Sequence, residues 1–264
     1  MKSLNNKKSA KKVIGLDIGG NKIAGIVFDG ENIIQELVIV TPKNLKDLKK
    51  NVTRLVEFLS SGKNLAGIGV GIAGLVSEKG VVTFCPNIKY LERFEILKFF
   101  KDLNFKSVNI DNDANCFALS EARLGKGKTF SNFMGITLGT GIGGGLILKG
   151  SLYHGSHKSA GEAGHVMADF KHDSEHYFQV ARNKKDYKKM GEVLGILFAN
   201  IYNLLDVEAL VLGGSIAVTF HKDFLPQAIK ILKKHIVNKK TNPKILISNL
   251  KNSGALGACL LCLE

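Results

Sequence analysis

Two glycine-rich segments of this chain each follow an apolar run and present backbone N–H groups that can bind an anion. The first is Asp17-Ile18-Gly19-Gly20-Asn21-Lys22, and the second is Thr137-Leu138-Gly139-Thr140-Gly141-Ile142-Gly143-Gly144-Gly145. The segment Asn112-Asp113-Ala114-Asn115 lies between them in the sequence. Glycine leaves the backbone bare, and successive amides in a turn form a concave anion site. Two such turns and a carboxylate predict a site for nucleotide phosphates, and therefore phosphoryl transfer.

The composition excludes several other classes of protein. The chain has 264 residues and a formal net charge of +14, mostly from lysines spread over predicted helix faces and turns, and it has no tryptophan. Nucleic-acid binders concentrate basic residues and interleave them with aromatics, so we expect a solvated lysine-rich surface and no nucleic-acid partner. No apolar run reaches the ~18 residues of a membrane span, and no signal peptide is recognisable. We therefore expect a cytoplasmic protein without a membrane partner.

The cysteines do not indicate a disulfide framework or a metal site. They stand at positions 85, 116, 259 and 262, without the spacing of either. Cys259 and Cys262 form a C-x-x-C pair, but this pair lies in the apolar stretch 255–263. We predict a buried helix face there rather than a redox or metal pair.

Hydrophobic periodicity predicts two α/β halves of similar build. Three strands joined by short turns begin the first half, which favours an antiparallel meander. We expect an N-terminal lobe over 13–110, with the last helix, 254–264, packed on it, a C-terminal lobe over 111–253, and a cleft near 109–113. The predicted strands are 13–17, 22–29, 33–40, 65–71, 81–84, 107–110, 133–138, 145–149, 209–212 and 244–247, and the predicted helices are 45–59, 91–103, 114–124, 190–205 and 224–235.

Two other nucleotide-binding patterns are matched only superficially. The segment 139–144 fits G-x-G-x-x-G, but a strand follows it at 146–148, whereas a dinucleotide-binding turn must open a helix. The segment Gly125-Lys126-Gly127-Lys128-Thr129 ends like a P-loop, but Ala122 replaces the first required glycine and the preceding residues are predicted to be helical. Neither pattern is interpreted as functional.

Five segments together resemble the ROK family of sugar kinases in their order and approximate spacing. They are Asp17–Lys22, Asn112–Asn115, Leu138–Gly145, Gly161-Glu162-Ala163-Gly164-His165 and Leu212-Gly213-Gly214-Ser215. The resemblance implies an actin-like ATPase, ribonuclease-H-like two-lobed α/β fold of the hexokinase superfamily. Asn21 departs from the threonine that is common at its position. The ATP-binding residues that the resemblance implies are Asp17, Gly19, Gly20, Asn21, Lys22, Thr137, Gly139, Thr140, Gly141, Gly213 and Gly214.

Two aspartates are predicted to carry the chemistry. Asp113 is predicted to be the general base, because phosphorylation of a sugar requires a carboxylate within hydrogen-bond reach of the attacking hydroxyl; its alternative role is a helix N-cap. Asp17 is predicted to help hold Mg²⁺ through water; its alternative role is a turn residue. The resemblance assigns Asn112 and Asp113 to sugar contact and catalysis, and Asp111 is expected to be structural.

By resemblance, Glu162 and His165 are predicted to bind the sugar, whereas such a pair in isolation is more often a surface or capping feature. A Glu-x-x-His pair on a helical turn places a carboxylate and an imidazole on one face, where both can take sugar hydroxyls. By resemblance, Asn87 and the loop that ends at Gly74 complete the pocket. A second sugar-binding glutamate of the family has no clear counterpart in this sequence.

The segment after His165 departs from the family. Many members have a C-x-C-G-x-x-G-C zinc motif there, with this histidine as the fourth ligand, but 166–189 contains no cysteine. Structural zinc sites favour thiolates, so we expect no zinc, and we expect His172, Glu175 and His176 to be ordinary polar residues. Packing against the helix at Met190 is expected to hold the loop instead, through Phe170, Tyr177 and Phe178.

The sequence thus predicts an ATP-dependent kinase of glucose or a close hexose that requires Mg²⁺ and forms a homodimer. Phosphorylation of an N-acetylhexosamine or fructose, and polyphosphate as donor, remain open. A non-catalytic sugar sensor is a further alternative, which the intact Asp17 and Asp113 disfavour. A sugar-binding transcription factor is disfavoured because the segment before the first strand is too short for a helix-turn-helix.

Overall fold

A computed structural model describes residues 11–240 and 242–263. These residues divide into an N-terminal unit, 11–116 with 254–263, and a C-terminal unit, 117–253. No helix in the described part of the chain is both long and apolar enough to cross a membrane. The strands are β1 Lys12–Ile18, β2 Lys22–Phe28, β3 Ile33–Val40, β4 Leu65–Ile72, β5 Leu75–Val76, β6 Val82–Phe84, β7 Val108–Asn112, β8 Phe133–Leu138, β9 Ile142–Leu148, β10 Ser151–Tyr153, β11 Ala209–Gly213 and β12 Lys244–Ile247. The α-helices are α1 Leu45–Ser60, α2 Ile96–Lys101, α3 Asp113–Leu124, α4 Ser174–Asn183, α5 Tyr187–Leu205, α6 Gly214–His235 and α7 Ser253–Leu260.

The N-terminal unit is built on a five-stranded sheet in the order β3-β2-β1-β4-β7. The antiparallel pairing of β1 with β2 and of β2 with β3 confirms the predicted meander. Helix α1 covers one face: its buried Leu55 and Leu59 pack above Gly25 of β2. Helix α7 packs on β1 and β4, where a Cβ at Gly15 or Gly69 would overlap its backbone. Its residues 255, 256 and 258–260 are buried, which confirms the predicted buried helix as far as Cys259 and Leu260. Cys262 lies beyond the end of the helix and is only partly buried.

The C-terminal unit contains a second five-stranded sheet, in the order β10-β9-β8-β11-β12. Strands β8 and β9 form the predicted hairpin, while β8, β11 and β12 are parallel. Its core joins the sheet to α4, α5 and α6 through buried side chains such as Phe178, Met190, Phe198 and Phe224. The parallel register brings the carboxyl ends of β8 and β11 to one edge of the sheet.

Several predicted elements have different bounds in the structure. The predicted helix 91–103 is only α2, because Arg93 adopts a positive φ of 68° just before it. Strand β9 starts at Ile142 rather than 145, since Gly143 to Gly145 pair with β8 and a Cβ at Gly144 would overlap the backbone of Gly161. Helix α6 starts at Gly214 rather than 224, with Pro226 inside it.

Helix α4 was not predicted at all. It starts at Ser174, capped by the Asp173 side chain, which accepts a hydrogen bond from the backbone N–H of His176. Phe178 and Ala181 are buried at helical spacing on its inner face. The signals are an N-cap residue and a short apolar stripe, both weak in a polar ten-residue segment.

Candidate active site

The turn between β1 and β2 is held by Thr41. Within the turn, the Gly19 N–H donates to the Lys22 carbonyl at 3.1 Å. The buried Thr41 hydroxyl donates to the Gly19 carbonyl at 2.6 Å, and its backbone N–H donates to the Asn21 carbonyl at 3.1 Å. Thr41 therefore fixes the predicted phosphate turn from the end of β3. The role of Thr41 could not be predicted from the sequence, where its position after a predicted strand is the sole local signal.

The Asp17 carboxyl lies in a confined position near the end of β1. A Cβ at Gly254, in the first turn of α7, would lie 2.5 Å from Asp17 Oδ2. Burial and the nearby charge of Asp113 raise the pKa of Asp17 to about 7, while Lys22 acts in the opposite direction. A buried carboxyl that is repelled by a second carboxylate gains from a neighbouring cation. This donor set fits a divalent cation held by one or two carboxylates and completed by water and phosphate oxygens.

Asp113 is the first residue of α3, and Asn112 caps this helix. The Asn112 Oδ1 accepts from the N–H groups of Ala114 at 2.9 Å and Asn115 at 3.2 Å. Asp113 Oδ1 also accepts from the Ala114 N–H, at 2.9 Å. The amide of Asn112 donates to the Gly74 carbonyl at 3.2 Å. Asn112 is therefore the main capping residue of α3. The same contacts place Asn112 and Asp113 close to Gly74.

Asp111 supports the same helix start from β7. Its Oδ1 accepts from the Asn112 backbone N–H at 2.7 Å and from the Asn115 side-chain amide at 2.8 Å. The Asn115 Oδ1 is buried and has no hydrogen-bond partner among the residues that the structure describes. The contacts of Asp111 are those of a structural residue that orients its neighbours.

Asn87 is exposed on a 3₁₀ turn, Pro86–Leu91, and lies next to the β1–β2 turn. A Cβ at Gly20 would come within 3.0 Å of Asn87 Cβ. A Cβ at Gly74 would overlap the Phe84 carbonyl. The predicted sugar residue Asn87 is therefore beside the predicted phosphate residue Gly20, whose lack of a side chain allows this close approach, and Gly74 likewise allows the approach of β6.

In the C-terminal unit, the predicted ATP-binding residues meet at the ends of β8 and β11. Thr137 pairs with Gly213 across these strands, and the Gly139 N–H donates to the Gly141 carbonyl at 3.0 Å in the hairpin turn. Gly214 opens α6 with φ +84°, and any Cβ there would overlap the Leu138 carbonyl. A Cβ at Gly139, by contrast, would meet no heavy atom of the other described residues within 4 Å. The turn therefore has open space beside Gly139.

Helix α4 supports the other side of this turn through the side chains of Glu175 and Arg182, neither of which was predicted to belong to the site. The Ile142 N–H donates to Glu175 Oε2 at 2.6 Å, and a Cβ at Gly141 would overlap the same carboxylate. Arg182 Nη1 donates to the Gly139 carbonyl at 3.3 Å and to the Thr140 carbonyl. Glu175 was expected to be an ordinary polar residue, so the structure corrects its role. No local pattern could reveal contacts between residues so far apart in sequence.

Glu162 precedes a short 3₁₀ turn, Ala163–His165, that ends at His165 and packs against β9. Burial raises the pKa of Glu162, while the nearby His165 lowers it. The half-exposed imidazole of His165 contacts Asp173 through Nδ1 and Oδ2 at 2.9 Å. A Cβ at Gly164 would lie 2.7 Å from the Ile142 carbonyl, so this segment adjoins the glycine turn. The predicted sugar and phosphate residues of this unit are thus neighbours.

The loop after Glu162 is braced by α4, but only partly by the expected side chains. Phe178 is buried in the core with Met190, which confirms its predicted packing. Phe170 is fully exposed, so that prediction was wrong, and the Tyr177 hydroxyl donates to the Asp169 carboxylate. Backbone and hydroxyl of Ser174 both donate to the Val166 carbonyl instead. Across the residues that the structure describes, no cluster of three or more His, Cys, Asp or Glu could hold a metal ion.

The chain is similar to sugar kinases in sequence. An N-acetylgalactosamine kinase, AgaK, of Shewanella sp. (strain ANA-3) is 27% identical over 297 residues, which cover 94% of this chain and 95% of that protein. A glucokinase of Streptomyces coelicolor is 38% identical over 156 residues, 58% of this chain and 49% of that protein. The second match therefore spans about half of the glucokinase.

The structure is also similar to solved structures over nearly its whole length. A ROK family glucokinase from Streptomyces griseus, in complex with glucose and AMPPNP, matches with a TM-score of 0.82 at 24% identity, covering 95% of this chain and 98% of that chain. A ROK hexokinase from Thermus thermophilus matches with a TM-score of 0.78 at 25% identity, covering 95% and 97%. These similarities confirm the expected actin-like α/β fold. The model of the ROK family matches residues 13–177 and 173–264, and the chain therefore belongs to the ROK family.

Proposed function

We propose that this protein is a sugar kinase that transfers the γ-phosphoryl group of ATP to a hydroxyl of a hexose, glucose or a close relative. The observation that carries the proposal is the pair of carboxylates, Asp17 and Asp113, whose charges interact beside the β1–β2 turn. Phosphoryl transfer to a hydroxyl needs an acceptor for the proton and neutralisation of charge on the phosphates. Two acids in one confined site can divide these tasks.

Asp113 is the proposed general base. It would accept the proton of the attacking sugar hydroxyl while the new bond to the γ-phosphorus forms. Asn112 bears the helix cap, so Asp113 can change protonation while the cap of α3 is retained. Sugar hydroxyls would be bound by Asn87, Asn112, Glu162 and His165, with Gly74 keeping the backbone close.

The phosphates of ATP are proposed to lie on the two glycine turns. Backbone N–H groups at Gly19, Gly20 and Asn21 would hold them in the N-terminal unit, together with Lys22. Thr137, Gly139, Thr140 and Gly141 would hold them in the C-terminal unit, with Gly213 and Gly214 under the adenosine. Mg²⁺, when bound near Asp17, would neutralise charge on the phosphate oxygens.

A second candidate substrate is an N-acetylhexosamine. It is favoured by the N-acetylgalactosamine kinase that matches 94% of this chain and by an N-acetyl-D-glucosamine kinase of Histophilus somni that is 37% identical over 160 residues, 59% of this chain and 52% of that protein. Fructose as acceptor, polyphosphate as donor, a homodimer and a cytoplasmic location stay predictions. A non-catalytic sugar sensor is the opposing hypothesis.

The decisive experiment measures sugar-dependent release of ADP with Mg²⁺ and a panel of glucose, mannose, fructose and the three common N-acetylhexosamines. A kinase is expected to release ADP with at least one sugar, and kcat/KM values then rank the acceptors. The matched control is Asp113→Asn, which keeps the shape of the side chain and should release ADP far more slowly. Sugar binding by calorimetry without ADP release on any sugar would favour the sensor.

A further inference from the structure

Helix α4 holds the β8–β9 turn from one side through two residues, Glu175 and Arg182, on the same helix face. The Glu175 carboxylate accepts from the Ile142 N–H at 2.6 Å at the end of the turn. The Arg182 guanidinium donates to the carbonyls of Gly139 and Thr140 and, through Nη2, to Asn183 Oδ1 at 3.1 Å. One nitrogen, Nη1, thus contacts two consecutive peptide units, while Asn183 holds the other nitrogen of the planar group.

We propose that Arg182 is a positioning residue for the phosphate donor, acting through the turn at Gly139, Thr140 and Gly141. This inference rests on the proposed function, in which that turn binds ATP. The carbonyl of Gly139 and the N–H of Thr140 belong to one planar trans peptide, as do the carbonyl of Thr140 and the N–H of Gly141. In such a unit the N–H points away from the carbonyl. By fixing both carbonyls, Arg182 therefore directs both N–H groups to the opposite side, toward the donor.

The turn needs such a restraint because two of its three residues are glycine. Glycine has the largest backbone freedom, so an unrestrained turn would lose much entropy on binding. A guanidinium has rigidly placed donors, which lysine lacks, and can hold two carbonyls in a fixed relation. Its positive charge also offsets the nearby Glu175 carboxylate, which would otherwise repel phosphate.

The test compares Arg182→Ala and Arg182→Lys with the wild type. The KM for ATP is expected to rise about 10-fold or more in Arg182→Ala, the range for a lost hydrogen bond to a charged group. The KM for sugar should stay within a factor of about two, since no proposed sugar contact involves the turn carbonyls. Millimolar guanidinium should restore much of the ATP affinity of Arg182→Ala, which a general loss of folding would not allow.

Arg123→Ala is the matched control. Arg123 Nη1 donates to the Gly150 carbonyl at 3.1 Å, so the same kind of contact is lost at a different hairpin turn of the same unit. Its KM for ATP should equal that of the wild type. If Arg182→Ala melts below the assay temperature, Arg182→Lys carries the test. It should also show a raised KM for ATP, because a single ammonium has no second nitrogen that Asn183 could hold and no planar group to fix its donors.

The outcomes separate this inference from the proposed function. An active wild type with an unchanged KM for ATP in the Arg182 variants would overturn the inference and leave the function intact. A wild type that releases no ADP with any sugar would overturn the proposed function. Calorimetry with Mg-ATP would then compare the ATP affinity of the wild type with that of the Arg182 variants. Weaker ATP binding by the variants supports the role of Arg182, whereas equal affinities, or no binding by any of them, overturn it.

Discussion

At the scale of single residues, the acids of the N-terminal unit differ because their surroundings differ. Asp29 is exposed and accepts hydrogen bonds from the N–H groups of Asn32 and Glu31, which lower its pKa. Asp17 is partly buried near Asp113, and desolvation raises its pKa to about 7. An aspartate side chain thus stabilises a turn as an ordinary carboxylate at Asp29, whereas at Asp17 its ionised form needs stabilisation by a nearby cation.

Asp17 should make stability fall as pH rises, in the absence of divalent cations. Its carboxyl has an ordinary pKa of 3.8 and a folded-state pKa of about 7. Between these values the folded state holds the proton more often than the unfolded state, so the free energy of unfolding decreases with increasing pH. Asp17→Asn removes this dependence. The melting temperature of Asp17→Asn relative to the wild type is therefore expected to be higher at pH 8 than at pH 5.

The control for this prediction is Asp29→Asn. The pKa of Asp29 is lowered, so its contribution to stability has the opposite sign and is lost as pH falls. Its melting temperature relative to the wild type should not increase between pH 5 and pH 8. Parallel pH curves for Asp17→Asn and the wild type would contradict the burial argument.

Asp113→Asn should separate catalysis from binding. The change removes the base but keeps a hydrogen-bond acceptor at the start of α3, so turnover is expected to fall about 10²–10⁴-fold. The Kd for sugar should change much less. Asp111→Asn is the matched control, because an amide oxygen can still accept from Asn112 and Asn115, and its turnover should remain close to that of the wild type. Steady-state kinetics and calorimetry measure both effects, and normal turnover in Asp113→Asn would refute the mechanism.

At the scale of elements, both glycine hairpins are braced by residues outside their own strands. Thr41 holds the β1–β2 turn, and α4 holds the β8–β9 turn. A glycine turn is flexible by itself, and long-range hydrogen bonds give it a defined shape. The two hairpins have comparable sequences but different braces.

Two alanine substitutions in the β8–β9 turn should affect different properties, one the KM for ATP and the other the melting temperature. In Gly139→Ala the new Cβ would lie more than 4 Å from the heavy atoms of the other residues described, so thermal stability should be retained. The methyl group would enter space proposed for phosphate, and the KM for ATP should rise. In Gly141→Ala the Cβ would overlap the Glu175 carboxylate, so the melting temperature should fall. Calorimetric melting and ATP kinetics distinguish them. Unchanged ATP kinetics in Gly139→Ala would make the turn an ordinary hairpin.

At the scale of the whole molecule, the loop after Glu162 is held by a helix that replaces the cysteine-rich segment the resemblance implies. Phe178 anchors α4 in the core, Ser174 bonds to Val166, and Asp173 contacts His165. These contacts bring together the segments that precede and follow the loop. They give a physical basis for dispensing with a structural metal.

We accordingly predict activity that depends on Mg²⁺ and is independent of zinc. Elemental analysis of protein purified without a metal-binding tag should give well under one zinc per chain. Closed zinc sites need four ligands, mostly thiolates, which the segment 166–189 lacks. Chelation should therefore remove only Mg²⁺, and excess Mg²⁺ should restore full activity. Stoichiometric zinc, with activity lost on its removal and regained only with zinc, would show that His172, Glu175 and His176 bind it.

The sequence by itself determined ten of the twelve strands in the described residues, all except the short β5 and β10. It determined the meander and the buried C-terminal helix as well, because these follow from local periodicity and turn chemistry. It also determined the family, through motifs whose glycines are required by close backbone approaches such as that at Gly214. Helix α4 was missed because its apolar stripe is short and its polar residues resemble a loop.

Only the tertiary structure decided the state of Asp17, the cap at Asn112 and the support of the two turns. The pKa of Asp17 depends on burial by the distant α7, with Gly254 against its carboxylate, and on the charge of Asp113. Thr41, Glu175 and Arg182 reach their turns across sheet edges or from another element. Desolvation and long-range hydrogen bonds depend on which residues meet in space, and spacing along one chain cannot specify that without the fold.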